Sequence, residues 1–225
     1  MTYEFRAYAD REMLSIELAQ RLAGDLRSAL QHEERAALVV PGGTSPGPIF
    51  DDLCAADLDW NRVDVLLGDE RWVPEDSPRS NTALVKSRLL VDRAVNARFL
   101  PLYAACDRPE EALEALARPI EAVLPLAVVL LGMGEDMHTA SLFPGADRLA
   151  EALAPDAPTL MAMRASGVPE PRITLSAHVL NGAMAKHVLI FGEGKREALQ
   201  AARGRPPLEA PINAVLDEAI VHWAP

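Results

Sequence analysis

Leu126-Ala127-Val128-Val129-Leu130-Leu131, closed by Gly132, is the most apolar strand-length run in the chain. Such a run offers no polar face to water, so it reads as a strand buried on both faces of a sheet. Working outward, residues 36–40 form a similar run that breaks at Pro41-Gly42-Gly43. Residues 63–67, mostly apolar around Asp64, read as another strand that ends at Gly68, and residues 186–191, apolar after Lys186-His187, as a fourth that ends at Gly192. Residues 172–175 and 220–223 read as further short strands. Helical patterns lie between them. Residues 10–32 place Leu14, Leu18, Leu22, Leu26 and Leu30 on one stripe. A short helix is expected from Pro48 to Asp52 and beyond, Ser80 caps one running to about residue 90, and residues 194–202 form another. Asp107, with Pro109 just inside, is expected to start a helix that runs to about residue 123. Strands alternating with helices predict an α/β fold, a mainly parallel sheet covered by helices on both faces. No internal repeat or linker divides the chain, which is read as one domain over residues 1–225.

The net charge, 22 − 33 = −11, argues against a nucleic-acid binder, which needs a basic face. It leaves room for an anionic small molecule, because a few Arg and Lys side chains act at short range. The two cysteines, Cys54 and Cys106, form no C-x-x-C pair and no disulfide framework, which suits a reducing compartment. The first residues lack the apolar stretch of a signal peptide, and the longest apolar run is too short to span a bilayer. The expected location is the cytoplasm.

The four apolar strands all empty into polar loops that contain glycine, and open α/β sheets bind ligands outside the carboxyl ends of their strands. The first loop, Gly42-Gly43-Thr44-Ser45-Pro46-Gly47, offers close backbone approach, hydroxyls and a helix start, which suits a phosphate; a plain strand-to-helix turn is the alternative. It is neither a Rossmann fingerprint nor a Walker loop. It does match G-x-S-x-G, the nucleophile elbow. In that motif the residue after the serine lends its N–H to the oxyanion, and here that residue is Pro46, which has none. The second loop carries Asp69, Glu70 and Arg71, followed by Ser80-Asn81. Arg71 can clamp a phosphate with its planar fork, and Asp69 can orient it or meet sugar hydroxyls. The third loop runs from Gly132 to Gly145 and holds Asp136 and His138, an acid–base pair for work near neutral pH. No further metal-ligand spacing accompanies it, so no metal is expected. In the fourth loop, Gly192-Glu193-Gly194-Lys195, a lysine at a helix start gains nothing from the helix dipole, and an anion there removes the penalty. Arg172 adds a cation at a strand start, with a surface salt bridge as its alternative.

Together these stretches resemble the 6-phosphogluconolactonase family. The resemblance rests on the first loop, Gly68-Asp69-Glu70-Arg71 with Ser80-Asn81, the whole run from Gly132 to Gly145, Arg172-Ile173-Thr174 and Gly192-Glu193-Gly194-Lys195. It implies a Rossmann-like fold shared with glucosamine-6-phosphate isomerases. It also implies hydrolysis of 6-phospho-D-glucono-1,5-lactone, with no metal or organic cofactor and a monomeric state. His138 is the implied base, with Asp136 orienting it or binding sugar hydroxyls. The substrate-binding set is Gly42, Gly43, Thr44, Ser45, Asp69, Arg71, Asn81, Arg172 and Lys195. A glucosamine-6-phosphate deaminase and a non-catalytic sugar-phosphate sensor are the rival readings. Two positions depart from the family pattern. Thr44-Ser45 inverts the usual order, and Met137 stands where glycine is common, so an ordinary backbone conformation is expected there.

Overall fold

Every residue of β2 (Ala36–Val40) and of β3 (Val63–Leu67) is buried; β2 is apolar throughout, and the one charged residue of β3, Asp64, is paired with Arg35 and Arg98. The computed structural model describes residues 2–225. The remaining strands are β1 (Glu4–Ala7), β4 (Asp69–Arg71), β5 (Arg98–Leu100), β6 (Val128–Gly132), β7 (Leu160–Met163), β8 (Arg172–Leu175), β9 (Ala185–Phe191) and β10 (Ile220–Ala224). The helices are α1 (Arg11–Leu30), α2 (Gly47–Leu53), α3 (Asn81–Arg88), α4 (Leu113–Glu121), α5 (Leu149–Ala152), α6 (Ala177–Asn181) and α7 (Glu193–Ala202).

Among the described residues, seven strands form one sheet in the order β1-β10-β9-β6-β2-β3-β5, and every neighbouring pair is parallel. From β2 the chain moves outward through β3 to β5. It then returns to the other side of β2 as β6 and moves outward again through β9 and β10. The order therefore reverses between β2 and β6, and such a switch point opens a crevice at the carboxyl ends of the strands. The four loops singled out in the sequence follow β9, β6, β2 and β3, which are consecutive neighbours in this sheet.

Helix α1 packs Leu14, Leu18, Leu22 and Leu26, all fully buried, against β2, β6 and β10; Leu30 at its end is half-buried. Asp10 caps it, accepting from Met13 N at 2.8 Å. The sequence reading did not resolve β1, β4, β5 or β7. Strands β1 and β5 are the edges of the sheet and carry charged residues, so they lack the apolar signal of a central strand. The helix expected from Asp107 is split. Pro109–Glu111 is a 3-10 turn, Ala112 sits at φ −109°, and α4 starts only at Leu113.

Strand β4 follows β3 after the single residue Gly68 and leaves the main sheet. It heads a small antiparallel sheet, β4-β8-β7, in which Asp69 faces Thr174 and Arg71 faces Arg172. Gly68 ties the two sheets together: its N–H donates to Val40 O and its carbonyl accepts from Leu175 N, both at 3.0 Å.

Candidate active site

A pocket of about 510 Å³ opens at the switch point and is bordered by all four loops. Its lining includes ten of the eleven sequence-predicted site residues, namely Gly42, Gly43, Thr44, Ser45, Asp69, Arg71, Asn81, His138, Arg172 and Lys195. The eleventh, Asp136, stands behind the histidine.

The third loop folds on itself just past β6. Gly134 N donates to His138 O and Met137 N to Gly134 O, each at 3.0 Å. The Asp136 carboxylate accepts from the backbone N of His138 at 3.2 Å and meets its ring Nδ1 at 2.5 Å. That hydrogen bond holds the Asp136 carboxyl below the ordinary aspartate range, against the opposing pull of partial burial. Gly134 lies directly beneath the pair: a Cβ there would fall 2.2 Å from His138 Nδ1, so only glycine fits. The His138 ring tilts against Phe143, centroids 4.5 Å apart. Its Nε2 has no protein partner among the described residues.

Met137 does not adopt the ordinary conformation expected of it. Its φ is +68°, in the left-handed region where glycine is favoured. Tertiary contacts override the local preference: besides the turn within the loop, Met137 O accepts from Ile212 N at 3.0 Å. The methionine thus takes the backbone shape that glycine would have supplied.

The opposite wall is cationic. Arg71 and Arg172 stand directly across the antiparallel ladder from one another, where like charges repel. Arg172 is not on the surface: it is 9 % exposed, 3.8 Å from Asp69 and above the ring of Phe143. Burial, with the positive charge of Arg71 adding to it and Asp69 opposing, lowers its pKa. Arg71 Nη1 donates to Arg79 O at 3.0 Å, while the Nε groups of both arginines are buried without a partner. An anion placed here relieves the repulsion and gives those donors an acceptor. Lys195 is half-buried in the first turn of α7, and burial lowers its pKa, with Glu135 opposing.

Two positions act inside the protein. Asp69 accepts Ser141 Oγ at 2.5 Å and so ties the second loop to the third. Asn81 donates to Asp69 O at 3.1 Å and packs under Gly42, where a Cβ would fall 2.0 Å from its Cγ. The N–H groups of Gly42 to Ser45 make no hydrogen bond among the described residues, which leaves a row of donors along the pocket. Sequence reasoning missed Arg79 and Phe143, whose places in the lining depend on packing. Arg79 forms a two-pronged ion pair with Glu170 at the rim. Among the described residues, no three His, Cys, Asp or Glu side chains converge as metal ligands, and no helix is long and apolar enough to cross a membrane.

Residues 9–223 match the family described as glucosamine-6-phosphate isomerases/6-phosphogluconolactonase. The chain belongs to this family. A 6-phosphogluconolactonase of Mesorhizobium japonicum is 43% identical, with 100% of this chain and 96% of that protein aligned. One of Rhizobium meliloti is 40% identical with 100% of both covered. Among solved structures, the crystal structure of a 6-phosphogluconolactonase from Shewanella baltica superposes with a TM-score of 0.95 at 33% identity. That match covers 100% of this chain and 98% of the other. The family's isomerase-like fold is the one seen here, and membership bears out the resemblance drawn from the loops.

Proposed function

We propose that the protein hydrolyses 6-phospho-D-glucono-1,5-lactone to 6-phosphogluconate, in the oxidative pentose phosphate pathway and in the cytoplasm. One observation carries the reading: a histidine with a free ring nitrogen and a set of partnerless cationic donors share one pocket. The names of relatives at 40% and 43% identity support the same substrate.

In this reading the Asp136 carboxylate fixes the tautomer with the proton on Nδ1, leaving Nε2 of His138 as the base. Nε2 takes a proton from water as the water oxygen bonds to the lactone carbonyl carbon. The tetrahedral intermediate collapses by breaking the bond from that carbon to the ring oxygen. The imidazolium returns the proton to the departing oxygen, so one water is added and the histidine is restored. The amides of Gly42 to Ser45, with Arg71, Arg172 and Lys195, hold the phosphate. Binding energy from that remote group orients the carbonyl for attack.

The test follows freshly generated 6-phosphogluconolactone against its spontaneous hydrolysis, with unphosphorylated gluconolactone as comparator. The wild-type chain is expected to accelerate the reaction. Arg71→Ala and Lys195→Ala are each expected to raise KM for the phosphorylated lactone by about tenfold or more, as loss of a charge-assisted contact worth roughly 1.5–3 kcal/mol implies. KM for the comparator should stay unchanged. Absence of acceleration by the wild type contradicts the activity; equal losses on both lactones contradict the phosphate site.

A further inference from the structure

Glu70, between Asp69 and Arg71 in β4, is 1 % exposed and lines no part of the pocket. Its carboxylate gathers five donors. Oε1 accepts from Arg71 N at 2.7 Å and Asn81 N at 2.9 Å. Oε2 accepts from Thr82 N at 2.7 Å, Thr82 Oγ1 at 2.8 Å and Ser80 Oγ at 3.3 Å. A carboxylate is an acceptor with about four lone-pair sites, so this one is saturated. Two of the donors are first-turn amides of α3, which have no partner within their own helix, and the positive helix end favours an anion there.

The consequence is mechanical. The carboxylate bolts β4 to the start of α3, and each side of that joint carries a pocket residue: Arg71 on β4 and Asn81 on α3. Asn81 in turn supports Gly42, against which it packs with no space for a Cβ. Three parts of the pocket wall therefore take their relative positions from one buried group that does not line the pocket.

We propose that Glu70 is a positioning residue that keeps Arg71, Asn81 and the Gly42–Ser45 loop in register, and so governs affinity for the anionic end of the ligand and not the chemistry at His138. The proposal rests on the phosphosugar-lactone reading above.

Glu70→Gln tests it, because the amide keeps the volume but turns N–H groups toward donors. In a variant that melts cooperatively, KM for 6-phosphogluconolactone is expected to rise about tenfold or more, with kcat within about threefold of wild type. Thr82→Val removes only the Oγ1 donor and is expected to raise the same KM about two- to fivefold; it decides the matter alone if Glu70→Gln does not fold. Calorimetric binding of 6-phosphogluconate should weaken in parallel, a readout independent of turnover. An unchanged KM and unchanged 6-phosphogluconate binding in the folded variants, or a loss confined to kcat, overturns the proposal. A wild-type chain that binds 6-phosphogluconate yet fails to hydrolyse the lactone contradicts the proposed activity instead, and the binding comparison still judges Glu70.

Discussion

Among the described residues there are two aspartate–histidine pairs, and they differ in what the second ring nitrogen meets. At the end of β6, Asp136 binds Nδ1 of His138, and Nε2 is free at the pocket. Under α1, Asp25 binds Nε2 of His187 at 2.9 Å, and Nδ1 is already engaged with His222 Nε2 at 3.0 Å. His222 Nδ1 then meets Tyr8 OH at 2.8 Å. One proton arrangement satisfies this whole row: Tyr8 donates to His222, His222 to His187 and His187 to Asp25, with both rings neutral. Both of those histidines are buried, 1 % and 0 % exposed, whereas the His138 side chain keeps 31 %. The same two residue types thus leave a ring nitrogen spare at the pocket, which the proposed function uses as its base, and form a structural tie across α1, β9 and β10 where none is spare.

The sharpest separation comes from removing one ring from each. His138→Asn is expected to lower kcat by about two to four orders of magnitude, the usual worth of a general base, with little change in Tm. His187→Leu should do the reverse. It leaves the buried Nε2 of His222 without an acceptor and takes from the half-buried Asp25 its histidine donor, and so lowers Tm markedly, while kcat of the folded enzyme stays within about threefold. Kinetics and thermal melts on both variants check this; a large kcat loss in His187→Leu breaks the distinction.

Acid should expose the buried row next. Burial, reinforced by the positive charges of Arg6 and Arg21, pushes the His222 pKa from 6.5 down to about 3. Unfolded chains therefore bind a proton between those values that the native protein does not. Stability is full above pH 6.5 and falls as the pH drops toward 3, at about 1.4 kcal/mol per pH unit from this group. His222→Phe should be less stable at pH 7 yet flatter over that range by about that slope. Denaturant melts at several pH values measure it, and parallel slopes for the two proteins contradict the assignment.

How far the sequence reached follows from the same contrast. Asp136 and His138 are two residues apart at the mouth of the most apolar strand, so spacing alone exposed them. Asp25 and His187 are 162 residues apart and meet only when α1 lies on β9. Buried central strands were legible because burial on both faces forces an apolar run. The edge strands β1 and β5, and β4 with its cargo of Asp69, Glu70 and Arg71, read as loop because their residues are polar. The cross-strand facing of Arg71 and Arg172 depends on the register of β4 against β8, which no local pattern encodes.

Met137 offers the smallest test. Its left-handed backbone costs about 1 kcal/mol or more, while glycine loses entropy on folding and the contacts of a half-buried side chain. Met137→Gly is expected to lie within about 1 kcal/mol of wild type, with kcat within about threefold. Chemical denaturation checks it, and a loss above about 2 kcal/mol means that the methionine side chain, not the turn, holds the loop.

The central claim is that Asp136 works through His138, as one unit. A double-mutant cycle on kcat tests it most directly, with Asp136→Asn, His138→Asn and the double variant assayed on fresh 6-phosphogluconolactone. The account predicts that Asp136→Asn alone costs roughly one to two orders of magnitude, as an orienting carboxylate does. It predicts that the double variant is no slower than His138→Asn, because an orienting group has nothing left to orient. Losses that multiply would contradict it and give Asp136 a contact with the substrate of its own.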